Sequence, residues 1–147
     1  MQPLEGLTVV TLEHAIAAPF ATRQLADLGA RVIKIERPGS GDFARGYDER
    51  VHGLSSHFVW TNRSKESLTL DLKNPDAMAA LKKLLAGADV LVQNLAPGAT
   101  ARMGLDYQSL KDINPGERDN IARTFDVWQR ALFVEDEWTL TPDLALT

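Results

Sequence analysis

Five basic side chains stand just after, or at the margins of, apolar runs: Arg37, Arg45, Lys65, Lys73 and Arg102. As a set, guanidinium and ammonium groups so placed suit a phosphorylated ligand, through charge-assisted hydrogen bonds to its oxygens. Taken singly, each reads equally well as solvated surface. His14 follows directly on an apolar run, where it is either a general base or a structural or solvent-facing imidazole. His52 and His57 are five residues apart. That is not the i, i+4 spacing of a helical zinc site, and no carboxylate pattern completes a ligand set, so no metal site is expected. The sequence has no Cys, which excludes a disulfide framework, a thiolate zinc site, an iron–sulfur cluster and a Cys nucleophile. Glu36 ends an apolar run, the position that holds a ribose in dinucleotide-binding folds. The glycine-rich pyrophosphate cradle such a fold requires is replaced by EHAIAAPF, without a single Gly, and no P-loop pattern occurs. Trp60, Trp128 and Trp138 are expected as core or interface anchors.

The elements that must position these residues follow from the hydrophobic pattern. Residues 7–12 (LTVVTL) are apolar and β-branched, as in a strand buried on both faces. Pro19-Phe20 opens a helix that Gly29 closes as a C-cap, and Arg31–Ile35 (RVIKI) follows as a second strand. Strand–helix–strand within about thirty residues is a βαβ unit and implies a parallel sheet. Residues 37–56 form a long polar connection with Pro38, Gly39, Gly41, Gly46 and Gly53, of the length that is usually functional or mobile. Ser67–Asp71 alternates as a strand. Asn74-Pro75 starts a helix with Met78, Leu81, Leu84 and Leu85 on one face. Ala88–Asn94 reads as a further strand and Tyr107–Ile113 as a short helix. An amphipathic helix is expected over about 120–133, and TLTPDLALT shows no clear period. Ligands of such sheets bind at the carboxyl ends of the strands, here the segments Glu13–Ala18, Glu36–Gly39 and Asn94–Gly98.

A chain of 147 residues, 44% hydrophobic, fits one ordinary domain with its own core. A net charge of −4 argues against a nucleic-acid footprint. No apolar run approaches the ~20 residues of a membrane span, and the start lacks the order of a signal peptide, so a cytoplasmic domain is expected. Residues 1–116 carry 13 basic and 13 acidic side chains, whereas residues 117–147 carry three Arg against seven acids. This break marks a boundary between a 1–116 domain and an acidic 117–147 segment.

Two blocks taken together go further. PLEGLTVVTLEHAIAAPFATRQLADLGARVIKIERPGSGD is followed by LTLDLKNPDAMAALKKLLAGADVLVQNLAPGATARMGLDYQSLKDINP. In order and spacing they resemble the N-terminal part of the class III coenzyme A transferases, the family of formyl-CoA:oxalate and crotonobetainyl-CoA:carnitine transferases and of the α-methylacyl-CoA racemases. The resemblance covers about residues 3–115. It implies an α/β fold with a Rossmann-like parallel sheet and flanking helices, and a homodimer of interlocked chains. It further implies exchange of CoA between an acyl-CoA and a carboxylic acid through an Asp carboxylate, as mixed anhydride and then aspartyl-CoA thioester. The positions matching the family's CoA contacts are Ala17, Arg37, Leu70, Lys73, Asn94, Leu95 and Arg102. The chemistry agrees, since CoA carries a 3′-phosphate and a pyrophosphate for the cations and an adenine for an apolar slot at Leu70 and Leu95.

The sequence departs from the family's pattern in two places. Ile16 stands where many of the transferases have Gln, which points away from oxalate- or formate-type acids and leaves room for the racemase branch. The resemblance stops at Asn114-Pro115-Gly116, and the stretch that leads to the nucleophilic Asp has no counterpart in GERDNIARTFDVWQRALF. Asp126, Asp136 and Asp143 lie in no matching context, so no catalytic residue is assigned and the chain alone is expected to be inactive. Residues 117–147 are expected to stand in for the family's C-terminal end, which packs back on the large domain. Two alternatives remain beside the transferase: a racemase of 2-methylacyl-CoA, and a non-catalytic CoA-binding or dimerising fragment. Open apolar faces predict self-association.

Overall fold

A computed structural model describes residues 2–111, 113–114, 138–141 and 144–146. Four parallel strands form its sheet: β1 (Thr8–Leu12), β2 (Arg31–Glu36), β3 (Lys65–Thr69) and β4 (Val90–Gln93), in the order β3-β2-β1-β4. Val10 sits opposite Ile33 on one side and Leu91 on the other. The helix α1 (Ala17–Asp27) carries the chain from β1 to β2 and α3 (Pro75–Leu85) carries it from β3 to β4. Between them lie a 3₁₀ turn (Phe43–Gly46) and α2 (Ser56–Asn62); after β4 come the single turns α4 (Ala99–Arg102) and α5 (Tyr107–Leu110).

Strand alternation divides the core between the two faces of the sheet. Val9 and Val32 meet Ala26 and Ala30 on the side of α1. Val10, Leu12, Ile33 and Ile35 pack with Leu81 and Leu85 of α3, and with Leu91, Leu105 and Leu110. Helix α1 ends, and α3 begins, where the sequence suggests. Gly29, at φ 103°, follows Leu28 and takes the left-handed position after α1. Asn74 caps α3 by accepting from the Asp76 amide, with Pro75 in the first turn and Lys82 and Lys83 in the last.

The third strand runs over 65–69 rather than 67–71. Its start is set by the Lys65 side chain, which reaches Glu13. Its end is set by Asp71, whose carboxylate turns the chain by accepting from the Lys73 amide. The connection after β2 is shorter than its composition suggests: Ser55 caps α2, and Asp48 accepts from the amide and hydroxyl of Ser56, pinning the preceding loop. Trp138 and the TLTPDLALT that follows it contain β5 (Trp138–Thr141) and β6 (Leu144–Leu146), an antiparallel pair on its own. The helix expected over 120–133, with Trp128, lies outside the described residues.

Candidate functional site at the carboxyl edge of the sheet

Because all four strands are parallel, their carboxyl ends open along a single edge. Ala17 is there as the first residue of α1, exposed, behind an N-cap (Ile16) that makes no side-chain hydrogen bond. Arg37 follows β2, exposed, its Nε–H donating to the Gly41 carbonyl at 3.0 Å. Leu70 continues β3, with its amide on the Glu36 carbonyl, and Lys73 lies exposed in the next turn. Asn94 and Leu95 follow β4, and Arg102 closes α4. Leu70 and Leu95 are half-buried against the same apolar cluster, under α3. The topology thus places all seven residues named from the sequence on the strand-end side of the sheet.

The switch in strand order falls between β1 and β4, where such sheets leave a crevice. Asn94, after β4, ties itself to the loop after β1. Its Oδ1 accepts from the His14 amide at 2.8 Å and its Nδ2 donates to the His14 carbonyl at 2.9 Å. The His14 ring stacks on Phe43 with centroids 5.6 Å apart, and its buried Nδ1 has no hydrogen-bond partner. Burial pushes the His14 pKa down; Asp42 opposes the shift while Arg37 and Lys34 add to it. The imidazole is therefore neutral at pH 7.

A second feature had a sequence signal that binary patterning obscures. On the α1 side of the sheet the strands change from apolar to ionic toward their carboxyl ends: Val9 gives way to Thr11 and Glu13, and Val32 to Lys34 and Glu36, with Lys65 and Ser67 of β3 in the same row. The Lys34 ammonium donates to Asp42 at 2.6 Å and to Asn62 at 2.8 Å. Lys65 donates to Glu13 at 2.7 Å and to the Pro19 carbonyl at 2.8 Å, and Thr22 donates to the other Glu13 oxygen at 2.7 Å. The side chains of Lys34 and Lys65 are 2% exposed and those of Glu13 and Asp42 0%. Two cations and two anions are thus removed from water together, which is tolerable only because each is paired and hydrogen-bonded. Burial pulls the Lys65 pKa down to about 8 against the attraction of Glu13.

Next to this cluster Glu36 organises the loop after β2. It accepts from Arg45 at 2.6 and 2.9 Å, from the Ser67 hydroxyl at 2.6 Å and from the Asp42 amide at 2.9 Å. Burial opposes its charge, but these donors prevail and its pKa falls to about 2. Gly41 makes the arrangement possible: at φ 59°, a Cβ there would stand 2.7 Å from a Glu36 oxygen and 2.9 Å from Arg45 Nε. Glu36, Arg37, Ser40, Arg45, Ser67 and Thr69 line an open cleft of about 240 Å³.

Of the basic residues expected beside a ligand, Arg37, Lys73 and Arg102 are exposed at this edge. Lys65 is not: it is neither solvated nor ligand-facing, because Glu13 holds it under α1. Arg45 is engaged by Glu36 and lies 3.8 Å over the Phe58 ring. Glu36 is fully occupied by its protein donors and does not present a carboxylate to a ribose. Trp60 is no core anchor, being 46% exposed against Phe20. His52 and His57 join no metal cluster among the described residues. Asp42, Asn62 and Thr22 escaped sequence reasoning because hydrogen-bond partners far apart in the chain leave no periodic signal.

Comparison with known proteins places this geometry in context. The sequence pattern described as CoA-transferase family III matches residues 4–116. Over 116 residues the chain is 43% identical to succinyl-CoA:glutarate CoA-transferase of Mus musculus, covering 78% of this chain and 27% of that protein. Over 113 residues it is 45% identical to acetyl-CoA:oxalate CoA-transferase of Acetobacter aceti, covering 77% and 29%. The crystal structure of a CaiB/BaiF family protein from Brucella suis superposes with a TM-score of 0.71 at 38% identity, covering 77% of this chain and 31% of that one. The chain therefore spans less than a third of the length of these relatives.

Proposed function

The chain belongs to CoA-transferase family III, and from that premise we propose that its strand-end edge binds the CoA moiety of an acyl-CoA whose thioester is exchanged onto a carboxylic acid. The observation that carries this reading is the convergence of Ala17, Arg37, Leu70, Lys73, Asn94, Leu95 and Arg102 on one edge of the parallel sheet. Arg37, Lys73 and Arg102 supply three exposed cations for the phosphates of CoA, and the half-buried Leu70 and Leu95 offer an apolar surface for adenine. Asn94 ties itself to the loop after β1 through His14, and the neutral His14 adds no charge beside an anionic ligand.

In this reading residues 4–116 bind and orient. The carboxylate that takes the acyl group in the family belongs to a stretch beyond them, and the region by itself is inactive in transfer. The homodimer implied by the family belongs to the same proposal, as do the division between 1–116 and 117–147 and a cytoplasmic site of action. A second reading, a CoA-binding fragment that pairs with another chain, is favoured by the aromatic side chains left exposed on the described surface. The racemase branch would use the same edge, and isotope exchange at the acyl α-carbon of the intact enzyme separates it from a transferase.

Calorimetric titration of the 147-residue chain with free CoA tests the site. We expect saturable binding, weakened at least tenfold in Arg102→Ala and Arg37→Ala because each removes a charge-assisted contact to phosphate. Absence of binding by the unaltered chain, or affinity untouched by both substitutions, would overturn the assignment.

A further inference from the structure

Ala15 sits at φ 64°, in the left-handed region that a residue with a Cβ enters only against steric strain. It is the pivot between β1 and α1, two residues before Ala17, and something must hold it there. Two side chains do so from opposite sides. Asn94 fixes the backbone of His14, as described above. On the other side the fully buried Asp42 carboxylate accepts from the Ala15 amide at 3.2 Å and, through the same oxygen, from the Ala44 amide at 2.9 Å. Its second oxygen takes the Lys34 ammonium, while its own amide is fixed on Glu36. Asp42 thereby ties the loop after β1, the loop after β2 and the sheet itself into one unit.

The geometry points to Asp42 as a positioning residue: by holding Ala15 in its left-handed turn it sets the head of α1 against the Arg37–Gly41 loop, and so the spacing of the two halves of the ligand edge. The inference rests on the proposed CoA site for its ligand, though the backbone geometry it concerns exists without one. The two oxygens divide the work. Oδ2 neutralises Lys34 and so contributes to overall stability. Oδ1 holds backbone and so contributes to the shape of the edge. Removing Lys34 takes away the first role and leaves the second, since Oδ1 still accepts from the Ala15 and Ala44 amides.

The test uses the full chain in three variants, reading CoA affinity and amide hydrogen exchange at Ala15 and Ala44 against core amides such as those of Val10 and Ile33. Lys34→Met, which leaves both Asp42 oxygens as acceptors, is expected to lower the thermal midpoint yet keep slow exchange at Ala15 and CoA affinity within about threefold. Asp42→Ala is expected to raise exchange at Ala15 and Ala44 at least tenfold more than in the core, and to weaken CoA binding at least tenfold. Ala15→Val leaves every buried charge paired but disfavours the left-handed turn, and is expected to weaken CoA binding at least tenfold; it decides the matter if Asp42→Ala does not fold. Equal losses of affinity in Lys34→Met and Asp42→Ala would overturn the inference, as would a uniform rise in exchange or wild-type affinity in Ala15→Val. Should the unaltered chain not bind CoA, the ligand reading falls, and selective exchange at Ala15 and Ala44 in Asp42→Ala still decides the positioning role.

Discussion

Thr11 and Lys65 show how differently two polar side chains can fare inside the same sheet. Thr11 is 0% exposed, and its hydroxyl has no partner. Replacing it with the isosteric Val removes an unpaired polar group, so Thr11→Val is expected to raise the unfolding free energy by about 1 kcal/mol, measured by urea titration. Lys65 is fully partnered, but its pKa lies near 8, below the usual lysine value of 10.5. Between those two values the unfolded chain binds the proton that the folded chain has released. Stability due to this group therefore rises as the pH goes from about 8 to about 10.5 and is flat below. Thermal midpoints across that window should climb relative to those of Lys65→Met, whose curve lacks this component; parallel curves would refute the assignment. Neither behaviour was legible in the sequence. RVIKIE shows that two charges alternate with isoleucine, but only the fold supplies Asp42 and Asn62 to meet the first and Arg45 and Ser67 to meet the second.

At the level of elements the sequence was more informative, because periodicity is a local property. β1, α1, β2 and α3 are where their apolar spacing and end signals put them, and Leu81 on the expected face of α3 is 0% exposed. Truncating it removes the contact of α3 with β1 and β2, and Leu81→Ala is expected to cost about 2–5 kcal/mol by denaturant unfolding. The short elements were hidden. The 3₁₀ turn and α2 are fixed by Asp42 and Ser55 as caps and by Asp48, which accepts from Ser56, in a stretch of glycines and polar residues without apolar periodicity. Of the seven residues proposed for the ligand edge, Arg37, Lys73 and Arg102 were already marked by their charge beside apolar runs, whereas Ala17, Leu70, Asn94 and Leu95 were singled out only through family resemblance, because small, apolar and amide side chains carry no such signal.

For the whole molecule, the uneven distribution of apolar surface matters most. Ile16, Phe20, Phe43, Tyr47, Leu54 and Trp60 are each between 38% and 53% exposed, and Phe20–Trp60 and Phe43–Tyr47 are in ring contact. Contiguous exposed aromatics of this kind mark interaction surfaces or association hazards. Sedimentation velocity is expected to show concentration-dependent self-association, reduced in Phe20→Ser/Trp60→Ser; a monodisperse monomer at high concentration would contradict this. The strand order carries a consequence for how the sheet comes into being. β1 pairs with β2 and β2 with β3 across neighbouring stretches of chain, but β1 meets β4 only across some eighty residues, fastened by the Thr8 amide on Asp89 and the His14 amide on Asn94. During synthesis three strands can assemble before Val90–Gln93 has left the ribosome, and one flank of β1 stays unzipped until then. Closing that long loop carries the largest entropic cost in assembling the four-stranded sheet, so the strand beside the crevice is the last of the four to join.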